Sequence, residues 1–376
     1  MKICIISFGK FHAFDLAREL VKNNYDVKLF SSYPYFIAKK YKIKRKNFFS
    51  FFLLQIIDRF SKRNFSYYLK FFFAKCIKLI ITKKQDLFII WSDTPSFLTK
   101  YLKNKFSSII IIERGSSHIF HQNKILKDEY KRFGIDFNID KRDIENEILN
   151  YEYSDFISIP SKFVYDSFIN NGVNSNKLFM NQYGSNLKKF FPNKKNKSKY
   201  FIVLTVGGST IRKGLLYVLK SHKLISNRFK HIHIGNIDDE VMSMIHLFPK
   251  FHHIKSVNQD RLREYYQKSD VLIVPSLEEG LSLTILEAMS CGLPIIATKN
   301  SGIESIESKL NFNFLIKIRD PKDIAKKINL LMNNPKLLNN MSENSLKIIS
   351  EGGFKWEDYG IRYKNFINEI KNNHCR

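Results

Sequence analysis

The sequence predicts an α/β protein of two similar units, each a parallel sheet wrapped by helices, facing one another across a cleft. Three observations carry this. The chain has 376 residues, long for one domain and comfortable for two. Ser154-Asp155-Phe156-Ile157-Ser158-Ile159-Pro160-Ser161 is echoed by Ser269-Asp270-Val271-Leu272-Ile273-Val274-Pro275-Ser276. Both read Ser-Asp, four mostly apolar residues, then Pro-Ser, as expected of buried parallel strands that open into loops. The two halves also begin alike, Ile3 to Ser7 then Gly9, and Phe201 to Val206 then Gly207-Gly208. Each half is a candidate Rossmann-like unit with ligand loops at the carboxyl ends of its strands.

Along the chain, the strand Ile3 to Ile6 leads through the loop Ser7 to Asp15 into a helix over Phe14 to Val21. Tyr41 to Lys84 is dense in aromatic and basic residues, among them Lys44, Arg45, Lys46, Lys62 and Arg63. It reads either as a basic surface that lies on anionic membranes or as core aromatics with solvated lysines. A strand over Ser108 to Ile112 delivers the loop Glu113 to His118. The interval from Gly9 to Ser154 is more than twice that from Gly207 to Ser269, so the first half reads as carrying an insertion. Lys188 to Lys199, polar and basic, is the expected linker, between a first domain ending at 187 and a second spanning 200–355. Gly207 to Gly214 opens a helix at about Leu215, with Arg212 and Lys213 offering charge to a phosphate. Trp356 to Ile370 has amphipathic spacing at Tyr359, Tyr363, Phe366 and Ile370.

The most informative segment follows the strand Asp270 to Pro275. A Gly/Ser turn holds Glu279, and a helix from about Leu283 holds Glu287, with Ser282 as N-cap and Gly292 and Pro294 as the stop. The backbone amides of Gly280, Leu281, Ser282 and Leu283 are expected to point outward, unsatisfied, at the positive end of a helix dipole, which makes an anion site. Flanking carboxylates suit hydroxyl groups on either side of a bound phosphate. A solvated glutamate is a poor account of Glu287, which sits among Leu283, Leu286, Ala288 and Met289.

Pro275-Ser276, the Glu279-Gly280 turn, Glu287-Ala288-Met289 and Cys291-Gly292-Leu293-Pro294 together resemble the donor site of retaining glycosyltransferases of family 4, glycosyl transferases group 1. The resemblance implies the two-domain GT-B fold, with the C-terminal helix (356–376) crossing back onto the first domain. It implies transfer of a sugar from a nucleotide-diphosphate-sugar to a hydroxyl acceptor with retention, in assembly of lipopolysaccharide or another surface polysaccharide. Glu287 would bind the ribose; Glu279 and His118 would hold the donor sugar; Lys213 would grip the diphosphate with Arg212, near Gly9, Gly207 and Gly208. His12 and Asp15 would face the acceptor, a glycan or a lipid-linked glycan. The sequence departs from the family where an arginine is expected, at Gly208. Either Arg212 substitutes or the diphosphate is held differently. Tyr183-Gly184-Ser185-Asn186 resembles the hinge segment that ends the first domain. A non-catalytic binding or scaffolding subunit with the same fold is the alternative, supported by Gly208.

The formal charge is +27, part of which accords with a composition rich in Lys, Asn, Ile and Phe; the remainder suits a nucleotide or anionic lipid. Nucleic acid is not an expected partner, since no helix-turn-helix, zinc or RNA-binding signature occurs. Cys4, Cys76, Cys291 and Cys375 have no CxxC spacing, and Asp238-Asp239 lacks a second acidic cluster. No metal or other cofactor is expected. No apolar run reaches transmembrane length, so the expected location is cytoplasmic, with peripheral attachment to the inner face of the cell membrane as an option.

Overall fold

A computed structural model describes residues 1–374 except 62, 194–197, 227, 246–247 and 308–314. Lys62 and part of the predicted linker therefore lie outside the described residues, as does Cys375. Two all-parallel sheets form the two units. The first contains β1 (Lys2–Ser7), β2 (Asp26–Ser31), β3 (Phe48–Ser50), β4 (Leu87–Trp91), β5 (Ile109–Glu113), β6 (Phe156–Ile159) and β7 (Leu178–Met180), in the order β3-β2-β1-β4-β5-β6-β7. The second contains β8 (Phe201–Val206), β9 (Phe229–Ile234), β10 (Phe251–Ile254), β11 (Val271–Val274), β12 (Ile295–Thr298) and β13 (Leu315–Ile316), in the order β10-β9-β8-β11-β12-β13. The predicted two-unit α/β class is the observed one.

The central strands are buried on both faces, which is why they read as continuous apolar runs. The repeated octets form β6 and β11, yet the two strands are not counterparts. β11 borders β8, the first strand of its sheet, so its counterpart beside β1 is β4, not β6. The longer interval to Ser154 therefore reflects β4 and β5 standing before β6 rather than an insertion. What the octets share is a local device. Asp155 accepts the amide of Ile110 at 2.8 Å, and Asp270 accepts that of Ile202 at 2.7 Å, each closing the start of the neighbouring strand. Asp86, before β4, does the same for Lys2 at 2.7 Å. The need to satisfy an edge amide recurs wherever such a strand begins, so it produces repeats without common position.

The helix Trp356–His374 packs on the helix Ala13–Lys22 of the first unit, as the resemblance implied. Tyr359, Tyr363, Ile367 and Ile370 join the core that contains Ile3, Leu16 and Leu29. Gly360 permits the approach, since a Cβ there would stand 2.4 Å from that of Glu19. The basic aromatic stretch divides. Phe48 and Phe73 are core, whereas the helices Phe52–Phe60 and Arg63–Ile80 expose Leu53, Ile56, Phe60 (84%), Phe72 and Leu79 (79%).

Candidate active site

The cleft between the units has a volume of about 1310 Å³ and is lined from both sides. On the second-domain wall, β11 ends at Val274 and the chain turns through residues 275–282 into the helix Leu283–Ser290. The turn is pinned by Thr298 Oγ1 donating to Ser276 O at 2.6 Å and by Asn300 Nδ2 donating to Leu277 O at 2.6 Å. Ser282 stands at the N-cap, but its hydroxyl pairs with Thr284 Oγ1 at 2.9 Å rather than capping. Its amide donates to Ser301 O at 3.0 Å, so Ser282 offers no amide to a ligand, contrary to expectation. Among the described residues the amides of Gly280, Leu281 and Leu283 have no partner within the chain, but only Leu281 and Leu283 line the cleft; Gly280 packs against Gly115 and Pro160, so two of the four predicted donors remain at the cleft.

Glu279 and Glu287 both line this wall. Glu279 is bonded to Lys213 Nζ and accepts from Ser276 Oγ at 2.8 Å. Glu287 accepts from Tyr266 at 3.1 Å, and burial raises its pKa to about 7 despite that bond. A ribose hydroxyl pair donating to Glu287, as the resemblance implies, would favour the carboxylate, so binding would have to deprotonate the group below pH 7. Nucleoside diphosphate affinity is expected to fall by up to about tenfold per unit as the pH drops through 7 toward 5. Glu287→Gln should cost about 1.5–3 kcal/mol of binding at pH 8 and flatten that dependence. Calorimetric titrations across pH check both; a wild-type affinity flat from pH 8 to pH 5 would remove Glu287 from the ribose site.

Lys213 and Arg212 sit in the 3-10 turn Ile211–Lys213 that follows β8. Gly214 (φ +71°) ends the turn against Pro275, whose carbonyl would lie 2.2 Å from a Cβ there. Lys213 faces the cleft. Arg212 does not line it: Nη1 donates to Glu278 Oε2 at 2.9 Å. Of the two readings of Gly208, substitution by Arg212 is not what this geometry offers. Glu278, which the sequence reading passed over, is fully buried and accepts from Ser117 N, Ser117 Oγ and Gln122 Nε2 at 2.9, 2.9 and 3.0 Å. Burial alone would raise its pKa, but Arg212 and the Ser117 bonds outweigh it and hold the carboxyl below its ordinary value.

On the first-domain wall, His12 Nε2 lies 3.0 Å from Glu113 Oε2. Glu113 is 1% exposed and also accepts from the hydroxyls of Tyr359 and Tyr363. His12 packs between Trp91 and Tyr183, with ring centroids at 4.9 and 4.3 Å. Asp15 lines the cleft but pairs with Arg18 at 2.9 Å, and burial raises its pKa against that attraction. Gly9 does not line the cleft; its carbonyl accepts from Ser7 Oγ at 2.9 Å and shapes the loop. Gly207 lines the cleft, and Gly208 lines a small side cavity. His118 is placed away from the cleft. It is 3% exposed, packs on Tyr151 and Phe168, and caps the helix Ile119–Arg132 through Nδ1. Burial pushes its pKa down to about 4. The loop Glu113 to His118 instead brings Glu113, the last residue of β5, Arg114, Gly115 and Ser116 to the cleft wall. Among the described residues no cluster of three or more His, Cys, Asp or Glu could hold a metal.

Two facing parallel units with this carboxylate–lysine wall at their seam have the GT-B architecture. Residues 187–348 match the family model of Glycosyl transferases group 1. The chain is 28% identical over 191 residues to a Campylobacter jejuni N,N'-diacetylbacillosaminyl-diphospho-undecaprenol alpha-1,3-N-acetylgalactosaminyltransferase, covering 47% of this chain and 50% of that protein. It spans about half the length of the curated relatives it matches. In fold it resembles sucrose-phosphate synthase from Thermosynechococcus elongatus, with a TM-score of 0.77, 15% identity and coverage of 99% and 100% of the two chains. It also resembles Anabaena HepE, solved with UDP-glucose, with a TM-score of 0.70, 13% identity and coverage of 98% and 100%.

Proposed function

We propose that the protein transfers a sugar from a nucleoside-diphosphate-sugar, held on the second domain, to a hydroxyl acceptor on the first, with retention. The observation that carries this is Lys213, Glu279 and Glu287 brought together on one cleft wall around free amides. The family match over residues 187–348 and the glycosyltransferase relatives support it. Glu287 binds the ribose and Glu279 the sugar hydroxyls, displacing its bond to Lys213 toward the diphosphate. Lys213 and the amides of Leu281 and Leu283 stabilise charge on the leaving group. The bond from the anomeric carbon to the phosphate oxygen breaks, the acceptor oxygen takes its place on the same face, and the acceptor proton passes to the leaving phosphate. His12, oriented by Glu113, holds the acceptor hydroxyl. The positive charge comes from Lys213 and backbone amides, so no metal is assigned a role.

The test is incubation with a panel of nucleotide-sugars, following nucleoside diphosphate release with and without EDTA, and reading the anomeric configuration of the product by NMR. Inversion, or activity lost to chelator and restored by magnesium, would overturn this mechanism. Donor binding without turnover on any acceptor would favour the second reading, a non-catalytic subunit, to which the bare Gly208 and the engaged Arg212 lend support.

We further propose a lipid-linked acceptor of a cell-surface glycan, reached at an anionic membrane. The support is the exposure of Leu53, Phe60, Phe72 and Leu79 on two touching helices, with Lys44, Lys46, Arg59 and Lys75 also exposed in this stretch, and the lipid-linked compound named for the Campylobacter relative. Among the described residues no helix is long and apolar enough to cross a membrane, so attachment would be interfacial. Wild type should co-sediment with vesicles containing anionic phosphatidylglycerol at low salt and less with neutral ones. Phe60→Ser with Leu79→Ser should abolish this while sparing donor affinity. No sedimentation of wild type at low salt would sink the proposal.

A further inference from the structure

Beneath the Gly207 turn the second domain holds a chain of buried histidines that the reaction above does not use. His222 Nε2 lies 3.0 Å from His231 Nδ1. His231 Nε2 lies 2.9 Å from Thr205 Oγ1, which lies 2.9 Å from His233 Nδ1. All three rings are buried. The two end nitrogens, His222 Nδ1 and His233 Nε2, have no hydrogen-bond partner. Burial is the main cause that pushes His222 and His233 down to about 4, so both rings are neutral at neutral pH.

A neutral imidazole carries one proton, and the Thr205 hydroxyl donates once. When every link is made and the Thr205 proton is used within the chain, two polarities remain. In one, His222 donates to His231, His231 to Thr205 and Thr205 to His233 Nδ1, leaving the His233 proton on Nε2. In the other, every bond reverses, and the spare N–H is on His222 Nδ1, beside the rings of Phe229 and Phe248.

The His233 end lies beside polar surroundings, with Nε2 itself covered. It lines a cavity of about 30 Å³ with Gly207, Gly208, Ser209, Lys213 and Glu279. Gly207, Lys213, Glu279 and Ser282 border both this cavity and the main cleft, so the two adjoin. The cavity is of one-water size, too small for a phosphate group but sufficient for an oxygen or a bridging water. Ser209 Oγ, also in its wall, is likewise unpartnered. Gly208 contributes no side chain, and a Cβ there would meet nothing within 4 Å.

We propose that His233 is a donor-binding residue: its Nε2–H reaches a diphosphate oxygen, directly or through one water, and the bound diphosphate selects the relay polarity that places the proton there. This rests on the donor-site reading above. A neutral N–H in this wall supplements Lys213 where neither Gly208 nor Arg212 supplies a cation.

The probes are UDP, GDP, ADP, CDP and dTDP, titrated into the full chain, followed by the nucleoside of the tightest binder. His233→Leu should weaken the diphosphate about tenfold and leave the nucleoside, held at Glu287, unchanged. His233→Gln, whose amide nitrogen can stand near Nε2, should recover most of the loss. Independently of any variant's folding, ¹⁵N NMR of histidine-labelled wild type should show His233 Nε2 as N–H in the diphosphate-saturated protein. If wild type binds no nucleoside diphosphate, the donor-site reading falls and this inference with it. If wild type binds but His233→Leu binds equally, or Nε2 is unprotonated in the complex, only the role of His233 is overturned.

Discussion

Lys213→Ala is expected to lower turnover by about two to three orders of magnitude, the range seen when a preorganised group aimed at developing charge is removed. The size follows from the lack of a substitute in the same turn, although other cations line the cleft. Arg212, the adjacent cation, is tied to the buried Glu278, and Gly208 offers no side chain. Leaving-group charge peaks in the transition state, so kcat should fall more than donor affinity. The fold should survive, because Glu279 keeps its bond from Ser276 and faces the open cleft. Steady-state release of nucleoside diphosphate measures the effect. A kcat within a few-fold of wild type would mean that the diphosphate is held by other groups.

Glu278→Ala should give the largest loss of stability, about 3–5 kcal/mol, because it removes one side of a buried ion pair. The low end is expected, since Arg212 is part-exposed and regains water. The same change strips the acceptor from Ser117 and Gln122 and so parts a contact between the two domains. Because the folded-state pKa of Glu278 is depressed, its contribution is present above the ordinary carboxyl value and is lost as the pH falls through the folded one. Urea denaturation should therefore show a wide gap between wild type and Glu278→Ala at pH 7 and a narrower one below pH 4. Equal midpoints at pH 7 would show that the network contributes nothing net.

Fold class and second-domain wall were legible for physical reasons. Doubly buried strands such as β6 and β11 write themselves as apolar runs. A carboxylate inside an apolar helix face, as at Glu287, is too costly to lack a purpose. Illegible were the partners of charged groups that meet only in three dimensions. Nothing in the order of residues says that Arg212 turns to Glu278, or that Glu113 gathers His12 with two tyrosines from the far end of the chain. His118 read well as a loop histidine at a strand end. That its ring packs inward on Tyr151 and Phe168 depends on the helices Lys141–Tyr153 and Lys162–Ile169, whose placement no local pattern announces.

The helix Trp356–His374 also bears on the order in which the protein can be made. During synthesis all seven strands of the first sheet leave the ribosome early, yet their core still wants Tyr359, Tyr363, Ile367 and Ile370. Until the whole second unit has been translated, Leu16 and Leu29 lack part of their cover and Glu113 lacks both its tyrosines. The nascent first unit must wait with a sticky flank exposed, the state in which chaperones bind and aggregation begins. The second unit leans on the first as well, through Ser117, Gln122 and Glu129, but those residues are translated before it, so it waits for nothing further along the message.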